Sequence, residues 1–405
     1  MGQALETTEK ALARVRLRPK ANARALRWGQ PWVYADELVT DRRTKALAPG
    51  SLAILEDAER APLGLVAVTP NSKIIARMLD RDAEAVIDQA WFAAKLASAL
   101  AMRSRIYDAP FYRLIHAEAD GLPGVIIDRF GDAAVIQPNA AWADARLEAL
   151  VAALREVTGV STVIKNASGR ARAAEGLDDI SAVLCGAVEA PLPVEMNGAT
   201  YLADLTGGQK TGLFYDQRPN HGFVKGLSAG ATVLDIFSHV GGFGLAALAG
   251  GAAEVTAVDA SAPALDLAAQ GAAAMGLAER FTTRKGDAFS VMDALEEEGA
   301  RFDIVVCDPP AFAPSKQALE AGLRAYEKAA RAGARLTAPG GYLVLCSCSH
   351  AATPEKFRNA CLRGIGRAGR WGQLIYQGAA GPDHPLHPHL AESGYLKAMV
   401  FRLVS

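Results

Sequence analysis

Two cysteines one residue apart, Cys346 and Cys348, sit at the polar end of the apolar run GYLVLCSCSH; an earlier run, FDIVVCDPPAF, ends on Asp308, Pro309 and Pro310 with Phe312 just beyond. A disulfide between neighbours this close would close a very small ring, and its geometry is hard to meet along an extended strand. The five cysteines (Cys185, Cys307, Cys346, Cys348, Cys361) are also too few in 405 residues for a disulfide framework. A metal centre needs three or four ligands at repeated spacing, and neither a second close cysteine pair nor a zinc-type Cys/His array is present. Core packing and a nucleophile at a strand's end remain. The Asp-Pro-Pro turn is a rigid polar lip backed by an aromatic, suited to a planar base: the carboxyl bonds its edge while Phe312 packs its face. A strand merely ending in a proline turn leaves that pairing unexplained.

A ligand loop precedes this lip. In ATVLDIFSHVGGFGLAAL a strand over 232–236 runs into a glycine turn and a helix starting near Phe243. Gly241 and Gly242 let the backbone approach a ligand, and the helix N-terminus offers free N–H donors. Eighteen residues after Gly241 a second strand ends on Asp259, placed to accept from ribose hydroxyls, and Ser261 caps the next helix. RKGDAF supplies Asp287 after a third strand. Dehydrogenases and methyltransferases share such a loop, but this one is not G-x-G-x-x-G and lacks the compact pyrophosphate cradle of a nicotinamide site.

In a doubly wound sheet the fifth strand ends near the first and fourth, so Cys348 is expected beside Asp308 and the glycine loop. Carbon 5 of cytosine is too weak a nucleophile to accept a methyl group. Thiolate addition at carbon 6 activates it, and hydrogen bonding from Asp308 to the ring nitrogen stabilises the adduct.

The elements that must hold these groups fall into three regions. Residues 10–78 are short apolar stretches broken by Gly and Pro, the spacing of a small β-barrel. Residues 79–190 open with a helical pattern over about 82–105, then strands around GVIIDRF and AAVIQPN, a helix over about 143–156, and strands near TVIKN and SAVLCG. Residues 191–405 alternate apolar strands with Ala-rich helices, the signature of a mostly parallel doubly wound α/β sheet. Half the residues are hydrophobic, no stretch of eighteen is apolar throughout, and the N-terminus lacks a signal-peptide core, so a soluble cytoplasmic protein is expected.

With 43 basic and 44 acidic residues the chain has no global nucleic-acid signature, but Lys10, Arg14, Arg16, Arg18, Lys20, Arg24 and Arg27 follow one another without an acid between them. In RVRLRPK the arginines alternate with Val15 and Leu17, a strand with guanidinium groups outward, fit for phosphate or simply a solvated edge. Lys165, Arg170 and Arg172 form a second candidate RNA patch. His384, His387 and His389 sit among prolines that preclude a helical ligand face, so they read as a rigid loop near the site rather than a metal cluster. Trp32 reads as core rather than a base-stacking platform.

Taken in order, GQPWVYADEL, EADGLPGVIIDRFGD, GGQKTGLFYDQRPN, LDIFSHVGGFG, CDPPAFAPSK, CSCSH and ESGYLKAMV resemble the class I S-adenosylmethionine-dependent ribosomal RNA large-subunit methyltransferase I family, cytosine-5 methyltransferases of 23S rRNA. The resemblance covers nearly the whole chain. It implies a PUA RNA-binding barrel, a middle α/β domain and a Rossmann-like class I methyltransferase domain, with S-adenosyl-L-methionine as cofactor. The partner implied is 23S ribosomal RNA, in the large subunit or a precursor, with no membrane; a homodimer is allowed. Carried over by motif, Cys348 is the nucleophile and Asp308 its partner, while Cys346 falls where relatives carry an apolar or aromatic residue. Cofactor contacts are expected at Asp235, Phe237, Gly241, Gly242, Phe243, Asp259, Ala260, Asp287, Ala288 and Asp308. RNA contacts are expected at Arg14, Arg16, Arg18, Lys210, Arg218, Pro309, Pro310, Phe312 and Lys316, with Asp216 and Gln217 nearby. His239 and His350 depart from the family pattern, in which an aromatic or Asn and a Gly are common. Two other readings stand beside this one: a methyltransferase acting on an exocyclic amine of adenine or guanine without a thiol, and a module that binds cofactor or RNA without transfer.

Overall fold

The computed structural model describes residues 12–188, 191–207 and 212–404. In the first sheet, strand Ala13–Arg16 pairs in parallel with Ser51–Glu56, and Pro62–Val68, Ile74–Asp80 and Trp32–Tyr34 follow antiparallel. A bridge between Leu17 and Leu38 joins the two ends, closing the sheet into a barrel. Alternation decides the faces: Val15 and Leu17 are buried, while Arg14 and Arg18 are exposed.

The second sheet holds strands Phe111–His116, Val125–Phe130, Ala133–Pro138, Thr162–Lys165 and Ala182–Cys185, antiparallel except for the central pair 133–138 and 162–165. Its helix spans Gln89–Arg103, starting later than the apolar pattern implied because the Asp88 carboxylate accepts from Trp91 N and fixes the first turn there. The strand Phe111–His116 was not legible as one. Its centre carries Arg113, whose charge is met across the ladder by Asp128, both guanidinium bonds being 2.9 Å.

The third sheet has seven strands: β1 (Thr232–Ile236), β2 (Glu254–Asp259), β3 (Phe281–Lys285), β4 (Phe302–Cys307), β5 (Thr337–Ser347), β6 (Gly372–Gly378) and β7 (Lys397–Leu403). Their order is β3-β2-β1-β4-β5-β7-β6, with only β7 antiparallel to its neighbours. The helices are α1 (Arg218–Leu227), α2 (Gly242–Ala249), α3 (Ala262–Ala274), α4 (Ala288–Glu297), α5 (Leu319–Leu336) and α6 (Pro354–Arg367). This is the Rossmann-like α/β architecture the strand–helix alternation implied. A hairpin, Leu192–Met196 with Ala199–Ala203, precedes it and was not anticipated; its Tyr201 hydroxyl donates to the Gly242 carbonyl at 3.0 Å. Among the described residues no helix is long and apolar enough to cross a membrane.

One loop, residues 379–396, touches all three units. Gly381 N donates to Asp216 O; Asp383 accepts from Arg113 N and offers its carbonyl to Arg103, which also grips Asp120 with two bonds of 2.6 and 2.7 Å. His384 packs on His116 with ring centroids 5.0 Å apart, and His389 lies 3.1 Å from the Trp28 carbonyl of the barrel. Trp32 is neither core nor platform: half-buried at this joint, it donates to Glu118 at 2.9 Å.

Asp128 is fully buried, so Asp128→Ala leaves the Arg113 charge without its partner and should cost about 3–5 kcal/mol. Breaking the exposed Arg284–Glu298 pair should cost less than about 1 kcal/mol. Urea unfolding of Asp128→Ala and Arg284→Ala measures both.

Candidate active site

The turn after β1 is strained. Phe237 and His239 adopt φ of 64° and 50°, a region non-glycine residues avoid, and Gly241 adopts 82°. Two carboxylates hold it there: Asp235 accepts from Gly244 N at 2.8 Å, and Asp259 accepts from both His239 N and Ser261 N. A side chain at Gly242 would put its Cβ 2.9 Å from His221 Nε2, so the helix start must be bare. Phe243 is buried with its ring 4.4 Å from His221. Asp287 caps α4 by accepting from Ser290 N and Oγ; Ala260 is exposed and Ala288 buried.

Buried polar atoms without a hydrogen-bond partner lie at this turn, Asp235 Oδ1, Ser238 Oγ and His221 Nδ1, and another, Asp216 Oδ1, lies towards Asp308. Native interiors rarely leave such atoms unmet. Their donor and acceptor chemistry, the bare glycine corner and the rings of Phe237, Phe289 and Phe312, packed within 6.4 Å of each other, fit a nucleoside cofactor bearing an amino-acid tail. Burial raises Asp235 to about 7, the Asp259 charge adding to it while the Gly244 bond opposes.

Asp308 stands at the end of β4. Gln217 Nε2 donates to its Oδ2 at 3.0 Å, and the orientation of that amide is set by a relay: Tyr376 OH donates to Asn220 Oδ1, and Asn220 Nδ2 donates to Gln217 Oε1. Burial raises Asp308 to about 8, with the Asp216 and Asp235 charges reinforcing it. The shift favours the protonated form, which can donate a hydrogen bond. Pro309 is buried, Pro310 and Lys316 are exposed, and the Phe312 ring lies 5.0 Å from that of Tyr326.

The two thiols separate. Cys346 is core, 1% exposed, its thiol pushed far up by burial and by Asp308, and the Gln217 amide faces it. Cys307 is buried as well and raised to about 12. Cys348 is half-buried one step past β5, where its charge is felt by Tyr326, Tyr395 and Lys397. The flanking hydroxyls pin it: Ser347 Oγ donates to Tyr326 OH at 2.9 Å, Tyr326 OH meets Ser349 Oγ at 2.8 Å, and Ser349 Oγ accepts from Ala313 N. Tyr395 donates to Asp216 at 2.6 Å, so the Cys348 and Asp308 surroundings share Asp216. Tyr326, Asn220, Tyr376, Tyr395 and Lys397 were not assigned roles from sequence; only the motif ESGYLKAMV pointed to the last pair.

Several expected RNA contacts stand elsewhere. Arg172 is 1% exposed and spent on Pro138 O, Asp144 and Asp178, and Lys165 pairs with the same two acids, which corrects these two to internal support; the side chain of Arg170 lies outside the described residues. The Arg218 guanidinium donates to Phe111 O and lies 4.2 Å over the Tyr107 ring, joining the middle sheet instead of facing solvent. Arg14 remains 60% exposed while pairing with Glu56; Arg18 donates to Leu38 O, and Arg16 is half-buried. Lys210 lies outside the described residues, as does Lys10. Among the described residues no group of three or more His, Cys, Asp or Glu could hold a metal ion.

A family model for S-adenosylmethionine-dependent methyltransferases matches residues 147–402, and one for PUA-like domains matches 15–81. The chain is 35% identical over 403 residues to a ribosomal RNA large subunit methyltransferase of Deinococcus radiodurans, covering 96% of this chain and 98% of that one. It is 33% identical to ribosomal RNA large subunit methyltransferase I of Alteromonas mediterranea, covering 96% and 98%. Among solved structures, a chain from Streptococcus mutans assigned to the S-adenosylmethionine-dependent methyltransferases superposes with a TM-score of 0.80 at 20% identity, covering 96% of this chain and all of that one.

Asp235 carries a pH signature. Its folded pKa of about 7 lies above the unfolded value of about 3.9, so its contribution is full below pH 4 and is lost as pH rises through 7. Asp235→Asn should therefore gain in Tm relative to the parent between pH 4 and about 7, then hold level, as read by calorimetry across pH.

Proposed function

The chain belongs to the S-adenosylmethionine-dependent ribosomal RNA large-subunit methyltransferase family, and from that premise we propose that it forms 5-methylcytosine in 23S ribosomal RNA through a covalent bond from Cys348 to carbon 6 of the base. The observation that carries this reading is the pinning of the half-buried Cys348 by Ser347, Tyr326 and Ser349, with Asp216 acting both on Asp308 and on the Tyr395 that feels the thiol's charge. S-adenosylmethionine, bound by the turn after β1 with Asp235, Asp259 and Asp287 around it, supplies an electrophilic methyl group.

Cys348 as thiolate adds its electron pair to carbon 6, and the displaced pair collects at carbon 5 and the ring's N3 side. Asp308 donates a hydrogen bond there, Gln217 holding its other oxygen so the proton faces the base. Phe312 packs the ring's face and Pro309 and Pro310 stiffen the lip. Once carbon 5 carries the methyl group, solvent takes its proton, the C–H pair re-forms the double bond to carbon 6, and the C–S bond breaks with its pair returning to sulfur as thiolate. A methyltransferase for exocyclic amines would need the Asp-Pro-Pro lip but no pinned thiol at its edge.

The barrel and its row Arg14, Arg16 and Arg18 are the RNA-holding unit on this reading. The hairpin over 192–203, bonded to Gly242, supports a boundary near 190 between a middle domain (79–190) and the methyltransferase domain (191–405), with the barrel over 10–78. Ribosomal RNA as substrate places the work in the cytoplasm.

Cys348→Ala should lower methyl transfer by at least about 10³-fold, whereas Cys346→Ala should keep it and lose about 1–2 kcal/mol of stability to the cavity. Mass mapping of 5-methylcytosine in rRNA treated with each protein checks this. Full activity in Cys348→Ala, with an N-methylated purine as product, would reverse the reading. Replacing Arg14, Arg16 and Arg18 together by Ala should flatten the slope of log K against log salt by about one for each phosphate no longer neutralised, measured by RNA titration.

A further inference from the structure

Among the described residues Lys397 is the only buried lysine, 5% exposed, and it stands at the start of β7 directly opposite Ser347. Its ammonium donates to the Ser349 carbonyl at 2.6 Å, and among the described residues no carboxylate pairs with it. A cation buried without a counter-ion is costly and tends to shed its proton. Here the carbonyl that anchors it belongs to the residue after Cys348, so the amine is held beneath the turn that presents the sulfur.

Other charged or titratable groups facing this spot come from several elements. Tyr326 comes from α5, and Tyr395, two residues before Lys397, is bonded to Asp216; Arg113 of the middle sheet acts on Tyr395 from behind, Asp308 closes β4, and exposed His350 follows the turn. Among these, Asp216 disfavours a second negative charge nearby, and it is already engaged by Tyr395. We propose that Lys397 is a positioning residue that holds Cys348 as a thiolate, the missing counter-ion of this lysine being the sulfur itself. The idea rests on the reading of Cys348 as nucleophile.

The thiol proton passes to solvent and the ammonium keeps its own, so the pair is neutral overall. When the sulfur bonds to carbon 6 its charge moves to the base; when the thiolate leaves, the ammonium receives it again. Burial pushes Lys397 down to about 8, and the Cys348 charge pulls it back up.

The test uses the full chain without RNA. Alkylation of Cys348 by iodoacetamide is followed by peptide mass from pH 5 to 10, with Cys185, also partly exposed, as internal reference. The parent midpoint should lie below the ordinary thiol value of about 8.5. It should rise by about one unit in Lys397→Met, roughly tenfold slower labelling at pH 7, and return in Lys397→Arg. Lys397→Gln serves in place of the Met variant if the latter does not melt cooperatively. Superimposable profiles in folded parent and Lys397→Met would overturn the proposal. A parallel assay, with S-adenosylmethionine present, for a covalent complex with RNA carrying 5-fluorocytosine separates the two claims. An unmoved midpoint with complex formed removes the role of Lys397 alone. A moved midpoint with no complex in the parent removes the nucleophile reading and leaves the ion pair. Lys397→Met that alkylates like the parent but accumulates the complex on ordinary cytosine RNA would overturn the proposal in favour of a base for the carbon 5 proton.

Discussion

The site depends on one phenol. Tyr326 sits in the middle of α5, 2% exposed, with its hydroxyl between Ser347 and Ser349, and those two hydroxyls bracket Cys348. A strand end is ordinarily where order fades, because its backbone groups lose their ladder partners. Here the chain is held past the last rung: Ser349 also receives Ala313 N, so the lip after β4 and the turn after β5 share an anchor. Removing the phenol would free both segments at once.

The second organising feature is the set of buried charges between the middle and last sheets. Arg103, Arg113, Asp120, Asp128 and Asp383 each find oppositely charged or backbone partners at 2.6–3.0 Å. Such groups contribute little net stability against an apolar core, but they tolerate only one arrangement, because any slip leaves a charge unpaired in low dielectric. Rigidity here matters to chemistry, since Asp216, bonded through its carbonyl to Gly381 and through its carboxylate to Tyr395, borders both halves of the site.

How much of this was legible in the sequence follows the range of the interactions. The glycine turn, Asp259 and the Asp-Pro-Pro lip are local patterns whose spacing reports their geometry, and the βα alternation yields the sheet that sets them side by side. Gln217 and Asp308 are 91 residues apart, and Asn220 and Tyr376 are 156 apart, so no window of sequence joins them. Charge alone also misled: Arg172 resembles a phosphate contact until Pro138 O, Asp144 and Asp178 surround it. Strand Phe111–His116 was missed for a related reason, since the Arg at its centre is neutralised only by a residue on the next strand. The hairpin over 192–203 is short, and its apolar face is matched by α3, later in the chain.

The loop over 379–396 has one more consequence. It accepts or donates bonds to the barrel at Trp28, to the middle sheet at Arg103 and Arg113, and to the segment before α1 at Asp216. Three units stapled by one strip of chain cannot change their separation without breaking the bonds that strip makes. The molecule is then a caliper with its screw tightened: the span from the barrel to the strained turn after β1 is set by bonds made along this one strip and is not left to a linker.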